Sequence, residues 1–280
     1  MENSTRKALF PSVWDVMAMP LIFFAVQIVV GVILHLGGLQ RPEVSTAPQE
    51  TIDNMQYMIE QVELGNYNAI VYSVLMAMAL VALVVYLRCR GGKGSITIRH
   101  AGRGFNPNII LGGLVWLLSA QFVLDPLSLW FPASEGSSVG RGVAAWASVM
   151  IAAPILEEII FRGLVYETLR KRWSFVVSAA FSSVFFGVIH GSISAAVVAM
   201  VAGFIFCVLY ERTSSIFATI IVHSINNILA FSMICYGLDN VSFYEVVGGG
   251  TVYYITYAVA LVAFVLLSIE AYFAVFKRKK

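Results

Sequence analysis

Three short stretches of this 280-residue chain combine residue types and spacings suited to hydrolysis. EEIIFRG, Glu157 to Gly163, puts two carboxylates and a guanidinium inside a long apolar run. FFGVIHG places His190 four residues after Phe186, and VHSINN places Asn227 four residues after His223, with Asn226 three from it. Side chains four apart share a helix face, so Glu158 can pair with Arg162, and His223 and Asn227 project together. Glu157 then lies about 100° round the helix, on a neighbouring face. A carboxylate in such a site can act as general base towards water, with His190 sharing or relaying the proton. Attack of that water on an amide carbonyl develops an oxyanion, which an imidazole N–H and an asparagine amide can stabilise, and His223 and Asn227 supply those donors. The same Glu157, His190 and His223 could instead ligate zinc, leaving a fourth position for water.

The elements that must position these groups are membrane helices. Hydrophobic residues make up 59% and charged residues 12% of the chain, about half the charge of an average soluble domain. A net charge of +2 with the basic residues in short segments between apolar runs gives no nucleic-acid face. Three cysteines without a CxxC imply neither a disulfide framework nor a cysteine metal site. About eight apolar runs are long enough to span a bilayer: 14–36, 69–87, 106–131, 143–164, 174–190, 194–210, 216–236 and 252–275. The fold class expected is all-α, a polytopic membrane protein with a buried polar active site. Basic segments around Arg6, Arg88–Arg103, Arg170–Arg172 and the terminal KRKK alternate with acidic or neutral loops, which predicts both termini in the cytoplasm. The first run is too long for a cleaved signal and reads as a retained span. Residues 46–67 predict an amphipathic helix on the outer surface.

A charge at the bilayer centre costs about 2.5–3.5 kcal/mol, so three within six residues need partners or a task. Glu158 with Arg162 reads as a structural pair. A single buried histidine or asparagine often bridges helices, but a glutamate, two histidines and an asparagine on three separate spans suggest convergence. His35, Asp125, His100 and Glu270 sit near run ends or in loops and read as structural, and Trp14, Trp130 and Trp173 as interfacial anchors. Convergence meets one difficulty. If the fourth run starts at 143 and the fifth at 174, Glu157 and His190 differ in depth by roughly 15 Å. The fourth helix is therefore expected to continue past Arg162 into VYETLRKR, with the fifth starting near Val177, or the helices to tilt.

E157-E158-x-x-x-R162, F186-x-x-x-H190 and H223-x-x-x-N227, in that order and each in an apolar run, resemble the three motifs of the CPBP family, the CAAX proteases and bacteriocin-processing enzymes, also called Abi. GFIFCVLYERTSSIFATIIVHSINN is similar to that family's approach to its third motif. The resemblance covers roughly 143–235. It divides the chain into an N-terminal transmembrane region 1–142 with outer loop 37–68, a catalytic core 143–235 and a C-terminal helix with basic tail 236–280. The resemblance implies an all-helical intramembrane glutamic endopeptidase without metal. Glu157 and His190 would activate water, His223 and Asn227 would stabilise the oxyanion, and Glu158, Arg162 and Phe186 would support them. The family's eukaryotic members remove the last three residues of prenylated CaaX proteins, and prokaryotic ones are linked to bacteriocin maturation or self-immunity. The expected partners are the lipid bilayer and a protein or peptide substrate, possibly lipidated, in what is expected to be a prokaryotic cell membrane. A non-enzymatic membrane partner, such as a bacteriocin self-immunity factor or a regulator of another membrane protein, is the competing reading. A transporter would show related halves or paired broken helices, and the sequence suggests neither.

Overall fold

The computed structural model describes residues 10–44, 54–99, 106–131, 139–238 and 241–276. In chain order the helices are α1 (Val13–Leu36), α2 (Asn54–Gly91), α3 (Pro107–Leu124), α4 (Leu127–Trp130), α5 (Val143–Arg170), α6 (Phe175–Val188), α7 (Ile193–Thr213), α8 (Ile216–Cys235), α9 (Phe243–Val246) and α10 (Gly250–Phe276). There is no strand among the described residues. Seven of these helices, α1, α2, α3, α5, α7, α8 and α10, are long and apolar enough to cross a membrane. The protein is an all-α, multi-pass membrane protein.

Three expectations need correction. The fifth apolar run forms only the 14-residue α6, so seven helices rather than eight reach spanning length. The amphipathic stretch is not a separate surface helix; from Asn54 it is the first part of the 38-residue α2, and residues 46–53 lie outside the described residues. No proline or glycine pair interrupts the chain between Met55 and Leu83, so the helical ladder continues from amphipathic to apolar sequence. Finally, α6 begins at Phe175, capped by Ser174, rather than near Val177. The fourth helix does run on past Arg162, to Arg170.

The chain forms two compact units, residues 1–96 with 136–160, and residues 97–135 with 161–280. In the first, α1 packs along α2 and buries Met19 and Phe23. Their ends are fastened through Asp15, which is fully buried. Its carboxylate accepts from the Ser12 backbone N–H at 2.7 Å, closing a capping box. It also accepts from Tyr86 Oη at 2.7 Å and from Arg90 Nε and Nη2 at 2.7 and 3.0 Å. The chain leading into α5 crosses α2 at Gly65, where Arg141 N–H donates to Gln61 O at 2.8 Å. A Cβ at Gly65 would collide with Arg141 O, and one at Gly140, whose φ is +80°, with the Gly65 backbone.

In the second unit α7 is central, packing on α3, α6, α8 and α10. Its small residues Ala199, Ala202 and Gly203 are buried and allow close approach. Helix α5, which passes from the first unit into the second, contains two π-helical segments, Ser148–Ala152 and Ile159–Tyr166. Pro154 follows the first after Ala153, at the start of the α-helical stretch Ala153–Glu158, where its missing N–H removes one donor from the ladder. The second segment frees backbone groups by shifting to i→i+5 bonding. The Phe161 carbonyl there accepts from Ser182 Oγ at 2.9 Å.

Candidate active site

In the first unit Glu157 and Glu158 are both buried, on the last turn of α-helical geometry before the second π segment. The Tyr72 hydroxyl, from the middle of α2, donates a hydrogen bond to the Glu157 carboxylate. A phenol donating to a carboxylate fixes the direction of one oxygen without adding a neutralising charge.

In the second unit Phe186 organises the rest. The Arg162 guanidinium, with no exposed surface, lies 4.5 Å over the Phe186 ring and 4.9 Å over Phe206, and Nη2 donates to Gly203 O at 3.2 Å. His223 is buried and stacks on Phe206, with ring centroids 4.9 Å apart and an interplanar angle of 26°. Phe186 makes T-shaped contacts with His223, centroids 5.9 Å apart, and with His190, centroids 4.7 Å apart. One aromatic side chain therefore touches both histidines and the arginine. The cradle requires glycine at 203, since a Cβ there would lie 3.1 Å from Ser183 Cα, 3.2 Å from Phe186 and 3.3 Å from Arg162 Nη2.

His190 is not inside a span. Helix α6 ends at Val188, and His190 occupies the exposed turn that leads through Gly191 into α7. Its Nδ1 lies 2.7 Å from Phe186 O. A carbonyl only accepts, so Nδ1 carries the proton and, in the neutral ring, Nε2 is the acceptor. Asn227 is half-buried on α8. Gln121 Nε2 donates to Asn226 Oδ1 at 2.7 Å, and Asn226 Nδ2 to Asn227 Oδ1 at 3.4 Å. An amide chain from α3 thus orients Asn227 as a donor.

The two histidines, Arg162, Phe186 and Asn227 belong to the second unit and Glu157 and Glu158 to the first. Sequence reading missed Tyr72, Gln121 and Phe206. The first two carried a usable signal, because a phenol or an amide in the middle of an apolar span needs a polar partner. Phe206 carried none. Among the described residues, no three His, Cys, Asp or Glu side chains form a group that could hold a metal ion.

A second polar centre lies where α5 and α7 end. Arg99 donates to Glu167 and, at 3.0 Å, to Glu211, and lies 4.5 Å over the Tyr210 ring. Glu211 also accepts from Arg170 at 2.8 Å and from Tyr166 at 2.9 Å. Burial alone would lower the Arg99 pKa, but the Glu167 and Glu211 carboxylates outweigh it and hold the guanidinium above its ordinary value.

Residues 140–229 match the family described as Type II CAAX prenyl endopeptidase Rce1-like. That stretch, about a third of the chain, contains all three motifs. Over 77 residues the chain is 38% identical to the Bacillus subtilis (strain 168) protein named "Putative membrane peptidase YdiL". The aligned stretch is 28% of this chain and 32% of that relative, about a third of its length. No solved structure matches the chain significantly.

Proposed function

We propose that the protein is an intramembrane endopeptidase that hydrolyses a membrane-associated or prenylated, CaaX-like protein or peptide. The observation that carries this reading is the single matched stretch containing Glu157, His190, His223 and Asn227, within which Phe186 packs against both histidines. Glu157, with one oxygen directed by Tyr72, takes a proton from water, and His190, whose Nε2 is the acceptor, shares it. The water oxygen bonds to the scissile carbonyl carbon, and the resulting oxyanion accepts hydrogen bonds from His223 and Asn227. Collapse breaks the C–N bond, and the proton held by the Glu157–His190 pair passes to the leaving amine. Arg162 and Phe186 hold the histidines in register, with Glu158 beside them in sequence. No metal takes part, both termini face the cytoplasm, and the membrane is that of a prokaryotic cell.

Complementation of a knockout strain with wild type and with Glu157→Gln, followed by membrane proteomics, tests the reading. Wild type should restore a cleaved peptide or protein that Glu157→Gln does not. Full function of Glu157→Gln with no change in any peptide would make the protein a non-enzymatic partner. Exhaustive chelation of purified enzyme tests the metal-free mechanism, which predicts retained activity. Activity lost to chelator and restored by stoichiometric zinc would recast Glu157, His190 and His223 as ligands.

A further inference from the structure

The polar residues of the second unit are exposed at one end and buried at the other, and their order of burial marks the end from which water reaches them. Four helix ends share one level. Tyr166, near the end of α5, meets the ring of Phe175 at 6.3 Å and that of Tyr210 at 5.9 Å. The Arg99 backbone N–H donates to Tyr210 Oη at 2.9 Å, and the Ile216 N–H donates to Arg99 O at 2.8 Å. The ends of α5 and α7 and the starts of α6 and α8 therefore lie together. The sequence run Arg170, Lys171 and Arg172 makes this the basic end, which the proposed orientation places at the cytoplasmic face.

From this level α6 climbs about 20 Å to Val188, and α8 climbs about 10 Å to His223 and about 16 Å to Asn227, at 1.5 Å per residue. Exposure falls from the far end towards the basic one. His190 is exposed beyond the end of α6, Asn227 is half-buried, His223 is buried and Arg162 has no exposed surface. The basic end is closed: Phe206, Tyr166 and Tyr210 are buried, and Glu211 engages both Arg99 and Arg170. A helix of about 20 Å that starts at the cytoplasmic face stops short of crossing a hydrocarbon core about 30 Å thick. The turn over residues 189–192 then stands inside the bilayer, past its midplane. Non-helical backbone at that depth is tolerated only against protein or water. His190 and Gly191 are exposed, and the Ser192 and Ser194 hydroxyls, 3.3 Å apart, extend the polar surface into the start of α7.

We propose that the site opens through this turn to the outer face of the membrane. Resting on the peptidase reading, the substrate is then a membrane-inserted protein or peptide cut in the outer half of the bilayer, rather than a prenylated C-terminus presented from the cytoplasm. The opening is tested by thiol labelling of the full chain carrying Cys89→Ser and Cys235→Ser, with the buried Cys207 kept and the protein without an added cysteine as background. One variant adds Ile193→Cys, at a residue 60% exposed beside His190 and outside the proposed machinery. A second adds Arg172→Cys at the basic end. Right-side-out and inside-out membrane vesicles are treated with the impermeant 2-sulfonatoethyl methanethiosulfonate, which reacts with the thiolate and so reports water at the residue. Ile193→Cys should react at least several-fold faster in right-side-out vesicles, and Arg172→Cys only in inside-out ones. Reaction of Ile193→Cys from the inner side alone or from neither side, or of Arg172→Cys from the outer side, would overturn the opening. The substrate is tested with a membrane-spanning peptide inserted in one orientation in vesicles of purified wild type. New termini are expected in its outer half, and cuts confined to its inner half would overturn that assignment. Labelling needs no turnover, so a protein that is labelled from outside but cuts nothing would fail as a peptidase and keep the opening.

Discussion

Arg162 and Arg99 are the two arginines on which the second unit is built, and their surroundings are opposite in kind. Arg162 is fully buried against the faces of Phe186 and Phe206. Arg99 keeps 31% of its side chain exposed and lies between Glu167 and Glu211. The rings that receive Arg162 also receive His190 and His223, so displacing it disturbs the proposed machinery. The carboxylates that receive Arg99 sit at the ends of α5 and α7, where an ion pair fastens helices without touching the histidines. A buried planar cation on aromatic faces orients its neighbours, whereas a partly exposed one among carboxylates ties ends together.

This contrast makes graded predictions. The largest effect is expected at the chemistry itself, where His190→Ala should lower kcat about 10²–10⁴-fold with KM little changed, as read by steady-state kinetics on reconstituted enzyme. Next, Arg162→Ala should destabilise the fold by about 2–4 kcal/mol, through lost cation–π contacts and a cavity between Phe186 and Phe206. Arg162→Lys should not rescue it, because an ammonium cannot stack on two rings; thermal unfolding in detergent measures both. Arg99→Gln should cost only about 1 kcal/mol, since a third of that side chain is exposed and solvent screens its pairs, and it should leave kcat within about twofold. If Arg99→Gln abolished activity while the fold persisted, the distinction between the two arginines would fail.

The smallest effect lies outside the spans, in the capping box of α9. Hydrogen bonds from the Ser242 backbone and hydroxyl hold the Glu245 pKa below its ordinary value. A lowered folded-state pKa gives stabilisation that is present above the unfolded pKa and lost as pH falls through the folded one. Amide exchange at α9 should therefore differ between wild type and Glu245→Ala at neutral pH. The gap should close as the medium is acidified through the lowered Glu245 pKa.

The three motifs and most of the spans were legible because both signals are local. Charge in a 20-residue apolar run is conspicuous, and a spacing of four is read directly. The extension of α5 to Arg170 was also legible, from the depth mismatch between Glu157 and His190. Hidden features depend on contacts distant in sequence. Asp15 sits in the first turn of an apolar run and looked unremarkable until Tyr86 and Arg90 closed on it, 71 and 75 residues away. Tyr72 and Glu157 are separated by 85 residues, and Gln121 and Asn226 by 105. The π segments change the backbone bonding pattern, which the periodicity of side chains does not register. The placement of His190 in a turn rests on where α6 stops, a boundary that apolar sequence running through Val188 and Ile189 conceals.

Glu157 is proposed as the base of a peptidase rather than part of the scaffold. Its most direct test is cleavage of a membrane-peptide library by purified protein in vesicles, comparing wild type with Glu157→Gln at matched folded concentration and reading products by mass spectrometry. Wild type should yield new C-termini, Glu157→Gln should be slower by at least about 10²-fold, and the two proteins should unfold at nearly the same temperature. Cleavage by Glu157→Gln at the wild-type rate would contradict it.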